Sequence, residues 1–568
     1  MQLLPRYAMP PPARSQTPAA RRPLVPPVRV WITVASLATA IVLVRAGLLE
    51  PVVGPIVDHA VRNIITLILA FFGLLSVVVW FLRESGHSLS LKRVVGYGLL
   101  LAVASVAAVF RIERVSGDLV PELRLRWMPS RDRLLPTAKA AASAAATAAW
   151  ASTPDDFPRF LGPQGSSAIE GPAIDPNWSA RPPRELWRTS IGAGWSGFAI
   201  AGEHAVTLEQ RGEEEVVSCR SLADGSLEWA VAVRGRHETV LGGVGPRSTP
   251  TIRDGIVYTT GATGWLHAID GATGTVVWKK DILGDLGLDR EAHTAAVSWG
   301  RAGSPLVTAD LVIVPGGGPF LRPDGPRSAA SLVAYDRADG TRRWTAGGEQ
   351  ISYVTPQLAT VGGREVVLTV NESHVAAYDP AGGAELWGFD WPGHSNSDAT
   401  CSQPHVLEGE RIFISKGYGI GAGVFAIDES SPVAVVVRPI WLQASLLKTK
   451  FTNVVIHGGH AYGLSDGILE CVRLDDGTRR WKGGRYGQGQ VLRVGELLVV
   501  QAEDGDVVLV ACQPEKRQEL ARLPALSGQT WNNPAVSGDR LLVRNAEEAA
   551  CFRLPLLQAD ASPDAGGP

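Results

Sequence analysis

Hydrophobic and polar positions follow two different rules along this chain. Before residue 112 the apolar residues come in long runs: Trp31 to Leu49, Ile64 to Leu82 and Val94 to Phe110. At about 1.5 Å per helical residue each run spans roughly 25–29 Å, close to the hydrocarbon thickness of a bilayer. Residues 31–111 therefore predict three transmembrane helices. Beyond residue 155 apolar and polar residues alternate in short runs ended by turn residues, which is the mark of half-buried strands. The stretch STPTIRDGIVYTTGATGWLHAID predicts four of them: Thr249 to Arg253, Ile256 to Thr260, Trp265 to Asp270 and Thr275 to Lys279. Asp254-Gly255, Ala262-Thr263-Gly264 and Gly271 to Gly274 are the turns between them. Glycine supplies the positive φ that tight hairpins need.

The strand pattern recurs. Residues 268–278 read AIDGATGTVVW, 334–344 AYDRADGTRRW, 377–387 AYDPAGGAELW, 471–481 CVRLDDGTRRW and 219–229 CRSLADGSLEW. Each copy sets a small residue, a Gly and a Trp in one register. Repeated four-stranded units of this kind predict an all-β fold, an eight-bladed β-propeller of four-stranded antiparallel blades, with the Trp packed between neighbouring sheets. Innermost strands are expected to start near Phe198, Thr249, Ser304, Thr355, Ser402, Asn453, Gln490 and Asn533. The last unit, Asn533 to Leu554, lacks its Trp strand, and Glu185 to Ile191 supplies one with nothing before it. The N-terminal strand is thus expected to close the ring, so that deleting residues 155–190 destroys the domain. The predicted organisation is a basic, Pro-rich disordered tail (1–30), three membrane helices (31–111), a linker (112–154), the propeller (155–556) and a disordered tail (557–568).

The 54 Lys and Arg against 56 Asp and Glu give a net charge of -2, which argues against nucleic-acid binding. Five scattered Cys exclude a disulfide scaffold and any CxxC site. Five Arg in the first 30 residues, and Arg83, Lys92 and Arg93 around the second loop, predict that these segments stay in the cytoplasm. The propeller is then outside, at a bacterial cytoplasmic membrane. Arg111, Arg114, Arg124 and Arg126 after the third run go against that rule.

Short motifs read as structure. Gly463 to Gly467 fits GxSxG but aligns with a hairpin turn, and Gly192 to Gly197 fits GxGxxG with no helix after it. His457 and His460 lack a third ligand, so no metal site is expected. Lys416 to Gly423, KGYGIGAG, is a Gly-rich hairpin that reads equally as a ligand approach or a bulge. The loops entering the innermost strands converge on one mouth of the channel. They bring Arg247, Trp299, Arg301, Tyr353, Asn396, Gln403, Lys450, Asn453, Tyr486, Gln488, Trp531 and Asn532 together as a candidate ligand-binding set. Cations and aromatic faces there suit a sugar or a planar anion. Polar, hydrogen-bonded axial loops suit any propeller equally well. No catalytic residue is identifiable.

The A-x-D-x-x-T-G-x-x-x-W signature, complete at 268–278, resembles the pyrroloquinoline quinone (PQQ) repeat, and DFPRFLGPQG at Asp156 to Gly165 looks like the opening of bacterial PQQ-like repeat proteins. The resemblance implies a quinoprotein-type propeller over about 400 residues. Its family holds PQQ-dependent dehydrogenases and the BamB assembly factor, a scaffold without quinone. PQQ with calcium is what the enzyme branch would imply, but no adjacent Cys pair, CxxCH motif or calcium set matches here. The favoured expectation is a membrane-anchored binding or assembly scaffold with a protein partner or a small planar or sugar ligand. The alternatives are a PQQ-dependent sugar or alcohol dehydrogenase and a carbohydrate-binding or sensory ectodomain.

Overall fold

In the computed structural model the described residues are 22–48, 58–136, 150, 152–320, 328–428 and 435–557. They fall into two compact units: residues up to 48 with 64–109, and residues 58–63 with everything from Phe110 onward. Of the expected tails, residues 1–21 and 558–568 lie outside the described residues, as does the Ala-rich stretch 138–149, while residues 22–30 are described and the first helix already begins at Val28.

The three apolar runs are helices: Val28–Arg45, His59–Arg83 and Leu89–Val109. Each is long and apolar enough to cross a membrane, with mean hydropathy 1.7, 2.7 and 1.6. The second and third start about five residues before the apolar run because polar side chains cap them there. Asp58 Oδ1 accepts from the Val61 N–H at 2.8 Å, and Ser88 Oγ from the Leu91 N–H at 3.3 Å. Within the helical unit the residues preceding the first helix meet the loop after the second. The Arg22 guanidinium donates to the Arg83 carbonyl and Arg29 pairs with Glu84.

The second unit is an eight-bladed propeller of antiparallel blades, seven of four strands and one of five. The ring closes as the sequence implies. Strand β4 (Arg184–Ser190) pairs with Glu548–Arg553 of the last blade, placing Trp187 opposite Cys551. Innermost strands begin later than expected at most positions: Thr251, Leu306, Gln357, His405 and Ala535. Pro250, Pro305, Pro356, Pro404 and Pro534 stand just before them. Proline has no N–H to give the ladder, so pairing starts after it. The blade Gln490–Pro524 has no repeat Trp, yet it forms four strands and gains a fifth, β3 (Ala168–Ile169), in parallel with Gln490–Val494.

The repeat has a geometric cause. Its Gly takes a positive φ, and a Cβ there would strike the Trp of the preceding blade: Gly225 meets Trp187 at 2.7 Å, Gly274 meets Trp229 at 2.8 Å and Gly340 meets Trp278 at 2.8 Å. These indoles then donate to a backbone carbonyl of the next blade, Trp187 to Leu222 at 2.9 Å, Trp229 to Gly271 at 2.7 Å and Trp278 to Arg337 at 3.0 Å. A register shift follows the small residue opposite the Trp, at Ala268/Ile269, Ala334/Tyr335 and Ala377/Tyr378 among others, and aims the indole sideways.

The stretch read as a linker is structured at its start. Strands β1 (Phe110–Val115) and β2 (Pro121–Leu125) form a hairpin, and a single 3₁₀ turn follows at Arg131–Leu134.

Candidate functional site

The loops entering the innermost strands and the turns between second and third strands share one end of the ring. Hydrogen bonds pass from blade to blade around this mouth. The Gly197 N–H donates to Thr249 Oγ1 at 3.1 Å, Thr249 N–H to Ser304 Oγ at 2.9 Å and Ser304 N–H to Thr355 Oγ1 at 3.0 Å. The Gln403 amide pairs with the Thr355 backbone, and the Gln403 N–H donates to Asn453 Oδ1 at 2.9 Å. Gln490 Nε2 reaches the Phe451 and Trp531 carbonyls at 3.1 and 2.9 Å. Asn532 Nδ2 reaches the Ser196 carbonyl at 2.8 Å and brings the circuit back to the first blade. Gln403, Asn453 and Asn532 of the candidate set are therefore parts of the belt that ties the blades together.

The arginines of the set are held by their own loops. Arg247 donates to the carbonyls of Gly245 and, at 2.6 Å, Gly242. Arg301 donates to the carbonyls of Pro315 and, at 2.6 Å, Gly316, with His293 Nε2 at 3.3 Å. Burial pulls both guanidinium pKa values down to about 10. Burial, with Arg247 nearby, pulls His237 down to about 3; burial, with Arg301 nearby, pulls His293 down to about 2. Both rings stay neutral at pH 7. Trp299 lies against Tyr353 with ring centres 5.5 Å apart and stacks on Tyr418 at 6.3 Å, while the Tyr353 hydroxyl donates to the Ser395 carbonyl at 2.6 Å.

The opposite half of the mouth is filled by chain that the sequence reading assigned to the membrane segment 31–111 and to the linker 112–154. Lys450, buried, sits 3.0 Å from Asp58 and 3.7 Å from Asp466. The His59 N–H donates to Asp466 Oδ2 at 2.9 Å, and the His59 ring stands 3.0 Å from Asp118. Burial would raise the Asp466 carboxyl, but Lys450 and Lys448 outweigh it and hold it below the usual range; at Asp118 burial wins and the pKa rises. The tip of the β1–β2 hairpin enters beside them. Its Gly117 N–H donates to Glu503 Oε1 at 2.6 Å, Gln529 donates to the Val115 carbonyl at 2.9 Å, and a Cβ on Gly117 would collide with Gln488. Only glycine fits there. Trp531 donates to the same Glu503 at 3.0 Å and packs between Trp195 and Phe451. Gln488 is fully buried, and its amide atoms meet no protein partner among the described residues. Tyr486 is apart from this group, its hydroxyl bonded to Glu519 at 2.9 Å and Arg517 at 3.0 Å. Asn396 is exposed. A hollow of about 40 Å³ remains between the hairpin and the first, second and last blades, bounded by Arg114, Arg124, Trp195 and Glu547, room for a water or two.

The dismissed motifs are hairpins. Asp466 and Gly467, both at positive φ, form the two-residue turn of the GLSDG stretch. His457 pairs with Glu496 at 3.2 Å and His460 with the Gly458 carbonyl at 2.7 Å. In KGYGIGAG the buried Lys416 ammonium donates to the Pro392 carbonyl, and Gly417 leaves room for Lys450. One group escaped the sequence reading. His204, Cys219 and Glu228 bring their ligand atoms within 4.8 Å, with Trp150 stacked on His204. Burial pushes the Cys219 thiol far up, so it stays protonated beside the carboxylate. Also unforeseen were Glu209, Glu215, Glu470 and Arg544. Their signal is a charge at an inward position of a strand, and all four are buried.

These features define a class: a closed propeller with a mouth covered by its own chain. The family model described as outer membrane protein assembly factor BamB matches residues 179–297 and 213–483, more than half of the chain, and the chain belongs to that family. BamB of Shewanella oneidensis is 24% identical over 377 residues, covering 63% of this chain and 85% of that protein. BamB of Xanthomonas campestris pv. campestris is 26% identical over 402 residues, covering 55% and 91%. Among solved structures, a europium-containing methanol dehydrogenase superposes with TM-score 0.53 at 12% identity, covering 71% of this chain and 98% of that one. The quinohemoprotein alcohol dehydrogenase of Comamonas testosteroni gives 0.52 at 14%, covering 82% and 86%. These two likenesses are of fold.

Proposed function

We propose that the protein is an assembly or binding scaffold, held by three spans in a bacterial cytoplasmic membrane with its propeller outside the cytoplasm. The observation that carries this reading is the covered mouth: the cations and aromatic rings that would receive a small ligand are engaged by the protein itself. Membership of the BamB family supports a protein partner. Two observations support the topology. Residues 58–63, after the first helix, belong to the same unit as the propeller, after the third, as the two crossings between them require. The arginines after the third helix open a long folded domain, and long domains cross largely regardless of their charge.

A tricyclic quinone carboxylate does not fit this mouth. Arg247 and Arg301 are spent on carbonyls, Lys450 on Asp58, and Gly117 stands against Gln488. The carboxylates that a calcium ion would need, Asp466 and Glu503, already accept from His59, Gly117, Gln488 and Trp531.

The full chain in detergent, titrated with PQQ and Ca²⁺, is expected to show no saturable quinone absorbance. A photoreactive residue at Asn396, in membranes, is expected to give a discrete protein adduct, whereas Asp224 on the far rim gives none. Micromolar quinone binding, or the same adducts at both positions, defeats the scaffold reading.

A further inference from the structure

The β1–β2 hairpin has two unlike faces. Arg111 pairs with Arg124 across the strands, and both reach Glu113 on the face lining the hollow against the propeller. The next pairs, Phe110 with Leu125 and Ile112 with Leu123, point to the other face. Ile112 is 49% exposed and Leu123 57%, and beyond them Trp127 and Met128 are 66% and 48% exposed. A hairpin that spends its polar face on its own domain and leaves four large apolar side chains in water needs something to cover them.

Continuity of the chain says what covers them. Phe110 directly follows Val109, the last residue of a 21-residue apolar helix. At about 3.3 Å per residue, Ile112 is within roughly 10 Å of the end of that helix. Leu123 is paired to Ile112 and cannot be farther away by more than a strand spacing. The composition fits the same place. Trp is the residue of membrane interfaces, and Trp127 stands two residues past the end of β2. We propose that the outward face of this hairpin, Ile112, Leu123, Trp127 and Met128, lies in the interfacial layer of the phospholipid bilayer. The hairpin then does two jobs at once. Its tip plugs the propeller mouth through Gly117, and its apolar face rests on the membrane surface.

This inference rests on the anchoring reading above, and one experiment separates the two. The full chain is reconstituted in nanodiscs of phosphatidylethanolamine and phosphatidylglycerol. Spin labels are placed singly at Ile112→Cys, Leu123→Cys and Trp127→Cys, with Val103→Cys in the third helix and Asp224→Cys on the far rim as references. Collision with oxygen against a water-soluble nickel chelate reports lipid against water. The expected result is a ratio several-fold above that of the rim at all three hairpin positions and highest at Val103. A hairpin ratio equal to the rim with Val103 in lipid overturns the hairpin contact and leaves the anchor standing. Val103 in water overturns both. All labelled sites are exposed, and an unchanged thermal transition certifies the fold of each variant.

Discussion

The two halves of the propeller mouth bury their cations by different means. On one side Arg247 turns back onto carbonyls of its own loop and Arg301 onto those of the strand Leu311–Phe320, where burial beside these cations keeps His237 and His293 uncharged. On the other, Lys450 meets Asp58 and Asp466, and one of those carboxylates comes from the chain leading into the second apolar helix. The first half is complete within the repeats. The second is complete only when residues 58–63 and 110–118 are in place. A guanidinium with five fixed donors can be satisfied by carbonyls alone, whereas an ammonium beside acids needs the acids. The difference separates what the ring needs to stand from what it needs to be covered.

The largest expected effect breaks the first half. Arg301→Leu strands the Pro315 and Gly316 carbonyls in the interior, and denaturant unfolding should show a loss of about 3 kcal/mol. Retention of full stability would mean that those carbonyls find other donors. Next comes the second half. Lys450→Met leaves Asp58 and Asp466 facing each other and should cost about 2 kcal/mol, with Asp58→Asn recovering part of it. A double-mutant cycle should give coupling of about 1 kcal/mol; simple additivity would mean that residues 58–63 do not dock on the mouth.

Acid sharpens the contrast. His237 and His293 have folded pKa values far below the ordinary 6.5, so the unfolded chain binds more protons. Their stabilising contribution is present above pH 6.5 and lost as pH falls. Each should remove about 1 kcal/mol between pH 6.5 and about pH 5.5. His293→Gln should flatten the stability profile by that amount in urea titrations run across this window. The smallest effect is at the rim. Asn396→Ala, at an exposed position, should change stability by no more than about 0.5 kcal/mol in denaturant unfolding.

The blades were legible because a period of two and a repeated Gly–Trp register are local facts. Gln490–Pro524 shows how little is required: Val491, Leu498, Val500, Val508 and Val510 pack into one core cluster and Leu492, Val499, Val507 and Leu509 into another, and the sheet forms without its Trp. The ends of strands were less legible, since alternation does not say that Pro250 or Pro305 delays the first ladder bond. The candidate set was legible as a place, because nearly all of its members are near the mouth. It was not legible as an assignment of partners. Tyr486 turned to Glu519, Asn396 to solvent, and Arg247 to its own loop.

From the chain alone came the three apolar helices, the eight blades, the closing strand and the end of the ring where polar residues gather. Each follows from spacing within a few tens of residues, where backbone geometry leaves few choices. Tertiary structure alone decided that Asp58 answers Lys450, that Gly117 enters beside Glu503, 386 residues away, and that the hairpin turns its arginines inward and its Ile112 and Leu123 out. Such pairings are set by which surfaces remain unfilled once the ring has closed, and no local period carries that information.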